Sequence, residues 1–281
     1  MASSLQDVLN LTKNGEDCFR ALHHKENFNQ SLFGGQVLAQ GLLAAGLTVD
    51  NTPVHSMHAY FLRPGNSQSP VDYVVTRNRD GRSFSHRTVN ATQNGKVIFT
   101  AMVSFHQPEE GFEHAVPWTK TPLPPSASLA NPPPELAPER PELSADAFEF
   151  CTLSGALFSS DALSAGSRFW MRSKEQWGAD DRLLQSCVLA YASDFGLLAS
   201  SLIQHPVSLF KGDVFGASVD HAIWFHHTDF LVDEWLLYEI DSPWAGGARG
   251  FSQGRIFNQN GALLASTAQE GLVRPKPELL P

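Results

Sequence analysis

Apolar positions recur at helical spacing in two places along the chain and alternate with polar ones through most of the rest. From about Asp181 to Ile203, the residues Leu184, Cys187, Val188, Tyr191, Phe195 and Leu198 follow the i, i+3, i+4 pattern of an amphipathic helix. Val37, Leu38, Leu42 and Leu43 predict a second helix over about Gly35–Gly46. Strand-like runs follow each helix. They include "SMHAYFLRP" from Ser56, "FSHRTVNATQNGKVIFTAMVSF" from Phe84, "GASVDHAIWFHH" from Gly216 and "FSQGRIFNQNGALLASTAQEGL" from Phe251. Two of these runs carry a Gln-Asn-Gly step. Asn-Gly predicts a type I′ hairpin, because both residues accept positive φ.

The two halves match in order. "GLLAAGL" from Gly41 returns as "GLLASSL" from Gly196, the Ser56 run as "VDHAIWFHH" from Val219, and the Phe84 run as the Phe251 run. A near-constant offset in matching order points to internal duplication. Between the copies, Pro108 to about Ala145 is dense in proline, which precludes a helix or a central strand. It reads as an extended linker, partly polyproline II. The division is therefore residues 1–107, a linker over 108–145, and residues 146–281. Each half has one helix, then a strand, then longer antiparallel strands. This is an α+β plan, and two such units can place their sheets edge to edge.

Composition narrows the function classes. The chain has 281 residues, 42% of them hydrophobic, enough for a large core. Its formal net charge is −9, which argues against nucleic acid as the main partner. The three cysteines, Cys18, Cys151 and Cys187, are odd in number and far apart, so a reducing compartment is expected rather than a disulfide framework. No secretory signal is expected from "MASSLQDVLNLTKNGEDCF", and no run reaches the length of a membrane span. The expectation is a soluble cytoplasmic protein.

Several stretches carry candidate chemistry. Gly250-Phe251-Ser252-Gln253-Gly254 matches G-x-S-x-G, the nucleophile elbow of serine hydrolases. An elbow needs a buried strand before it and a helix after it. Here "SPWAGGAR" precedes the motif and a strand follows, so Ser252 reads as a strand residue, aligned with Ser85 of the first copy. Asp194 falls at the edge of an apolar helical stripe, where it either serves chemistry or caps nearby backbone. Gln269 in "STAQEG" stands where the first copy has the apolar "TAMVSF", which suggests a site in one half only. The alternative for Gln269 is an edge-strand amide facing water. In "SVDHAIWFHH", His221 falls on the face of Val219, Ile223 and Phe225, and His226 and His227 point apart. A metal is not expected there, and Asp220 with His221 reads as a hydrogen-bonding pair. "FGGQVLAQG" from Phe33 opens a helix with two glycines, whose N–H groups can hold an anion or polarise a carbonyl.

Taken together, "NFNQSLFGGQVLAQGLLAA", "VHSMHAYFLRPG", "YASDFGLLAS", "SVDHAIWFHH", "EWLLYEIDSPWAGGARGFSQGRIFNQNG" and "LLASTAQEGLVR" resemble the acyl-CoA thioesterase II family. The resemblance spans nearly the whole chain in order. It implies two tandem hotdog domains, each a long antiparallel sheet wrapped around a central helix. It also implies hydrolysis of fatty acyl-CoA, medium to long in chain, to free acid and coenzyme A. The family's catalytic Asp, Thr or Ser, and Gln fall on Asp194, Ser218 and Gln269, which together activate a water. No serine nucleophile, metal or separate cofactor is implied, since coenzyme A is part of the substrate. Its phosphates make Arg63, Arg79, Arg82 and Arg249 candidate contacts. A homo-oligomer, dimer or tetramer, is implied as well. Two rivals on the same fold are a silent acyl-CoA-binding protein and an enoyl-CoA hydratase. The intact Asp194, Ser218 and Gln269 argue against the first, and the lack of an Asp/His hydratase motif against the second.

Overall fold

The computed structural model describes residues 4–27, 30–123, 147–154, 166–209 and 211–279. The first half contains α1 (Leu5–Val8), β1 (Thr12–Gly15), β2 (Cys18–Ala21), α2 (Gly34–Gly46), β3 (Val54–Phe61), β4 (Val71–Asp80), β5 (Phe84–Gln93) and β6 (Lys96–His106). The second contains β7 (Phe148–Ser154), β8 (Gly166–Ser173), α3 (Arg182–Ser193), α4 (Leu197–Ser200), β9 (Val214–Ser218), β10 (Asp220–Phe225), β11 (Leu236–Gly246), β12 (Arg249–Asn258) and β13 (Leu263–Pro275). All the strands join one antiparallel sheet in the order β1-β2-β4-β5-β6-β3-β10-β13-β12-β11-β8-β7, with β9 on the remaining length of β13. Read outward from the β3–β10 junction, the two halves have the same order. The duplicated units therefore do meet edge to edge, through pairs such as Ala222 opposite His58.

One face of the sheet carries the helices. Nearly every residue of α2 is buried, which suits its run of glycine, alanine and leucine. Its two buried glutamines are satisfied: Gln36 accepts from the Lys25 N–H at 2.5 Å, and Gln40 donates to Val8 O at 2.6 Å. Helices α2 and α3 touch closely. A Cβ added to Gly35 would lie 2.2 Å from Tyr191 O, so only glycine permits this approach. The span Arg182–Ser200 is long and apolar enough to cross a membrane, but it is 67% buried inside the protein, as the core of a sheet-wrapped helix would be.

Three expectations shift in detail. The helix predicted over about Asp181–Ile203 is broken between α3 and α4, where Gly196 takes φ +83°. The strand predicted over Gly216–His227 is two strands, β9 and β10, parted at Val219. The first Asn-Gly step is the expected two-residue turn, with Asn94 at φ 49° and Gly95 at φ 73°. The second loop is one residue longer. There only Gly261 has positive φ, and the Asn258 N–H reaches Ala262 O at 3.0 Å. The proline-dense segment has no helix or strand over residues 108–123, and its remainder, 124–145, lies outside the described residues. Residues 118–122 strap the outer face of the second half. Trp118 packs there against Cys151, Trp170, Leu237 and Phe257, and Trp170 Nε1 donates to Pro122 O at 3.0 Å.

The G-x-S-x-G stretch lies inside β12, with no strand-to-helix turn. Ser252 is 1% exposed and its Oγ donates to Leu197 O at 2.9 Å. The two glycines make room for neighbours. A Cβ at Gly250 would lie 2.4 Å from Ser201 Cβ, and one at Gly254 2.4 Å from Tyr238 Cε2. The ladders also correct the expected match with Ser85. Equivalent bulges, between Ala91 and Thr92 in β5 and between Ile256 and Phe257 in β12, fix the register between the copies. That register sets Ser252 opposite Gln269 in one half and Arg87 opposite Val103 in the other. Arg87, buried and inward-facing, therefore holds the place of Ser252 in the first half.

Two measurements check these readings. Gly35→Ala is expected to destabilise the protein by about 1–3 kcal/mol through overpacking, read by denaturant unfolding. A fluorophosphonate probe is expected to leave Ser252 unlabelled, and Ser252→Ala to cost only about 1 kcal/mol, the worth of one hydrogen bond.

Candidate active site

The break after α3 builds the site. Asp194 is the C-cap of α3 with φ −80°, and the turn at Gly196 redirects the chain into α4. This leaves the Asp194 carboxylate facing the N-terminus of α2, across the boundary between the halves. The Gly35 N–H donates to its Oδ2 at 2.9 Å. A Cβ on Gly34 would lie 2.7 Å from that same oxygen, so the first glycine of the pair lets the carboxylate come in. On the other side, Gln269 Nε2 donates to Oδ1 at 2.7 Å. Gln269 is central rather than an edge residue: β13 runs between β10 and β12, and the side chain is 2% exposed.

The site holds one negative charge in apolar surroundings. Asp194 has a side-chain exposure of 6%, and burial raises its pKa from 3.8 to about 6. The hydrogen bonds from Gln269 and Gly35 pull the other way and keep the shift moderate. The α2 N-terminus adds a favourable dipole for the anion. His221 Nδ1 lies 3.8 Å from Asp194 Oδ1, but burial pushes the imidazole down to about 3, so the two do not form an ion pair near neutral pH. Tyr238, whose OH donates to Ser193 O at 2.8 Å, is also pushed by burial away from its ordinary range, upward.

Asp194 opens on a cleft of about 910 Å³. Phe33, Phe61, Phe99, Leu198 and Leu209 give it apolar walls, and Asn27, Gln30, Arg63 and Asn66 give it polar ones. Ser218, the last residue of β9, lines the same cleft. The structure thus brings Asp194 and Gln269 into direct contact and sets Ser218 on the shared cleft. Among the described residues, no hydrogen bond joins Ser218 to the other two. Of the four arginines considered for phosphate contacts, Arg63 lines the cleft, with Nη1 donating to Val97 O at 2.6 Å. Arg79, Arg82 and Arg249 do not line it, and Arg249 faces Glu270 at 3.4 Å instead.

One neighbouring pair departs from the sequence reading. Asp220 and His221 are not a pair. Adjacent strand residues point to opposite faces, and Asp220 accepts from the Glu270 N–H at 2.7 Å while His221 turns inward to Gln269 and Ser193. His226 reaches outward to Ser266 Oγ at 2.9 Å. The glycines that open α2 do hold an anion, Gly35 through its N–H and Gly34 by leaving room, and that anion is the protein's own carboxylate. Both halves contribute to the site, which no motif within one half reveals. A polar His221 in an otherwise apolar inward face was the available signal for its involvement.

Comparisons with known proteins agree with this architecture. The family model for the acyl-CoA thioesterase matches residues 150–272, and that for the acyl-CoA thioesterase N-terminal domain matches residues 24–106. Mouse acyl-coenzyme A thioesterase 8 is 38% identical over 97% of this chain and 89% of its own length. The crystal structure of the acyl-CoA thioesterase II TesB2 from Mycobacterium marinum superposes with a TM-score of 0.79 at 34% identity, covering 99% of each chain. A hot dog fold protein of unknown function from Alicyclobacillus acidocaldarius superposes with a TM-score of 0.80 at 20% identity, covering 98% of this chain and 100% of its own, which speaks for the fold alone. With family models matched in both halves, a relative aligned over almost its whole length and two wrapped helices on one continuous sheet, this chain belongs to the acyl-CoA thioesterase II family, with the double hotdog fold.

Proposed function

We propose that this protein hydrolyses medium- to long-chain fatty acyl-CoA by direct attack of a water activated at Asp194, Ser218 and Gln269. The observation that carries the proposal is the Asp194 carboxylate. It is buried, oriented from both sides and open to a cleft it shares with Ser218. A carboxylate with a pKa of about 6 is ionised at neutral pH yet basic enough to take a proton from water in the transition state. The thioester carbonyl is a good electrophile, so an oriented water suffices without a covalent intermediate. Ser218 and Gln269 hold that water in line for attack. The water oxygen bonds to the carbonyl carbon, Asp194 takes the proton, and collapse of the tetrahedral species breaks the C–S bond. The departing thiolate then recovers the proton, giving free acid and coenzyme A.

The cleft volume of about 910 Å³ stands near the top of the ~300–1,000 Å³ range of ligand sites, which favours a long acyl chain. Coenzyme A enters as part of the substrate, and no separate cofactor takes part in this scheme. Arg63 at the cleft is the arginine best placed for its phosphates. The proposal includes a homo-oligomer, because β1 and β7 leave open edges at the two ends of the sheet. It places the protein in the cytoplasm, where the thiols of Cys18 and Cys187 meet a reducing environment.

Two outcomes test it. Asp194→Asn is expected to lower kcat on palmitoyl-CoA by about 10²–10⁴-fold while the protein stays folded, read by thiol release to a chromogenic disulfide. Wild-type turnover in that variant would remove Asp194 from the chemistry. In the native protein, kcat/KM is expected to fall about tenfold per pH unit below about 6, as Asp194 is protonated. His221 and Tyr238, the other titratable groups beside it, stay neutral across that range.

A further inference from the structure

Gln269 can serve a water only if its amide is held one way round, and nothing in the family resemblance says what holds it. The surroundings determine the orientation atom by atom. An ionised carboxylate accepts hydrogen bonds and cannot donate one, so the amide NH₂ must face Asp194 Oδ1, 2.7 Å away. The same nitrogen lies 3.0 Å from His221 Nδ1. Its second hydrogen therefore points at that ring nitrogen, which must carry a lone pair. The proton of a neutral imidazole then sits on Nε2, which faces Ser193 Oγ at 3.0 Å. Ser193 can accept it, because its own hydroxyl proton goes to Ala190 O at 2.8 Å. Every donor in the chain meets an acceptor, and the chain ends on the α3 backbone beside Asp194.

One atom is left over. Gln269 Oε1 is buried and has no hydrogen-bond partner. A buried unsatisfied acceptor costs about 1–3 kcal/mol, so this orientation persists only because something imposes it. A flipped amide would put Oε1 against the Asp194 carboxylate, and it would leave the nitrogen as the group without a partner. His221 is 1% exposed and stands on β10, next to β13, so its ring has little freedom to follow a flip.

We propose that His221 is a positioning residue for hydrolysis: by accepting the second amide hydrogen of Gln269, it holds the amide nitrogen on Asp194 and so keeps that carboxylate oriented at the cleft. The inference rests on the role of Gln269 proposed above. It adds a fourth side chain whose effect on the reaction passes entirely through Gln269. His221 touches neither the cleft nor the water, and its neutral state is required, since an imidazolium would present a hydrogen to the amide nitrogen.

The test uses the full-length protein and thiol release from palmitoyl-CoA across a pH series, with unfolding curves for each variant. His221→Phe keeps a planar ring but no acceptor. It is expected to lower kcat tenfold or more with KM changed less than twofold, and to move the acid limb of kcat/KM upward, because an amide anchored on one side only holds its N–H on Asp194 less firmly. His221→Asn can set its Oδ1 where Nδ1 stood and is expected to recover most of the rate and the original limb. Equal losses in these two variants, or a native rate and limb in His221→Phe, would overturn the inference. In a Gln269→Ala background, His221→Phe is expected to add no further loss, and additive losses would overturn it too. The ring ¹⁵N shifts of His221 in the unmutated protein answer independently of folding: a proton on Nε2 is expected, and one on Nδ1 sinks the inference. A Gln269→Ala variant with native activity would instead sink the proposed role of Gln269 itself, and the two failures are thus told apart.

Discussion

The contact on which the active site depends is the hydrogen bond from the Gly35 N–H to the Asp194 carboxylate. One partner is the first turn of a helix in the first half, the other the residue that caps the end of a helix in the second. The bond exists because β3 pairs with β10 and fuses two sheets into one. That fusion lays α2 against α3, close enough that Gly35 must lack a Cβ. A buried carboxylate is costly alone. Here backbone N–H, amide and helix dipole offset part of the cost, and the remainder appears as a pKa of about 6. The same imbalance that strains the fold makes the group a base near neutral pH.

The duplication makes two equivalent positions, yet only one carries this chemistry. Register between the copies sets Val103 in the place of Gln269, Met57 in the place of His221 and Arg87 in the place of Ser252. In the first half the polar pair of amide and imidazole is thus replaced by apolar side chains. Arg87 closes the region by donating to Thr48 O at 3.1 Å just beyond α2, to Thr48 Oγ1 at 2.8 Å and to Asp80 at 2.5 Å. A guanidinium near a helix C-terminus complements the dipole there. The first half therefore contributes structure, one N–H group and cleft wall, and the second half contributes the side chains proposed to act on the water.

Much of this was legible in residue pattern. Period-2 and period-3.6 runs located the strands and the two main helices, and the repeated segments pointed to two copies of one plan. Gln269 stood out because its sister segment is apolar, and its burial explains why that contrast held. The pattern failed where a local rule had two outcomes. Asn-Gly gave a two-residue turn at Asn94 but a longer loop at Gly261, since one extra residue fits a glycine-led bulge. The helical stripe ran unbroken past Asp194, because an apolar period does not register a left-handed glycine at 196. Ser252 matched a nucleophile motif whose glycines serve packing against Ser201 and Tyr238.

The sequence by itself determined the repeated α+β plan, the faces of its strands and the identity of Asp194, Ser218 and Gln269 as candidates. The plan and the strand faces follow from periodicity, Asp194 and Gln269 stand out as polar residues beside or within apolar runs, and Ser218 is singled out by the resemblance to the thioesterase II family. Tertiary structure alone decided that Asp194 faces the other half's helix, that His221 meets Gln269 and not Asp220, and that Arg63, of the four arginines considered, lines the cleft. Those outcomes depend on sheet register and on how closely two helices approach. Both are set by contacts between residues far apart in the chain, which no spacing along it encodes.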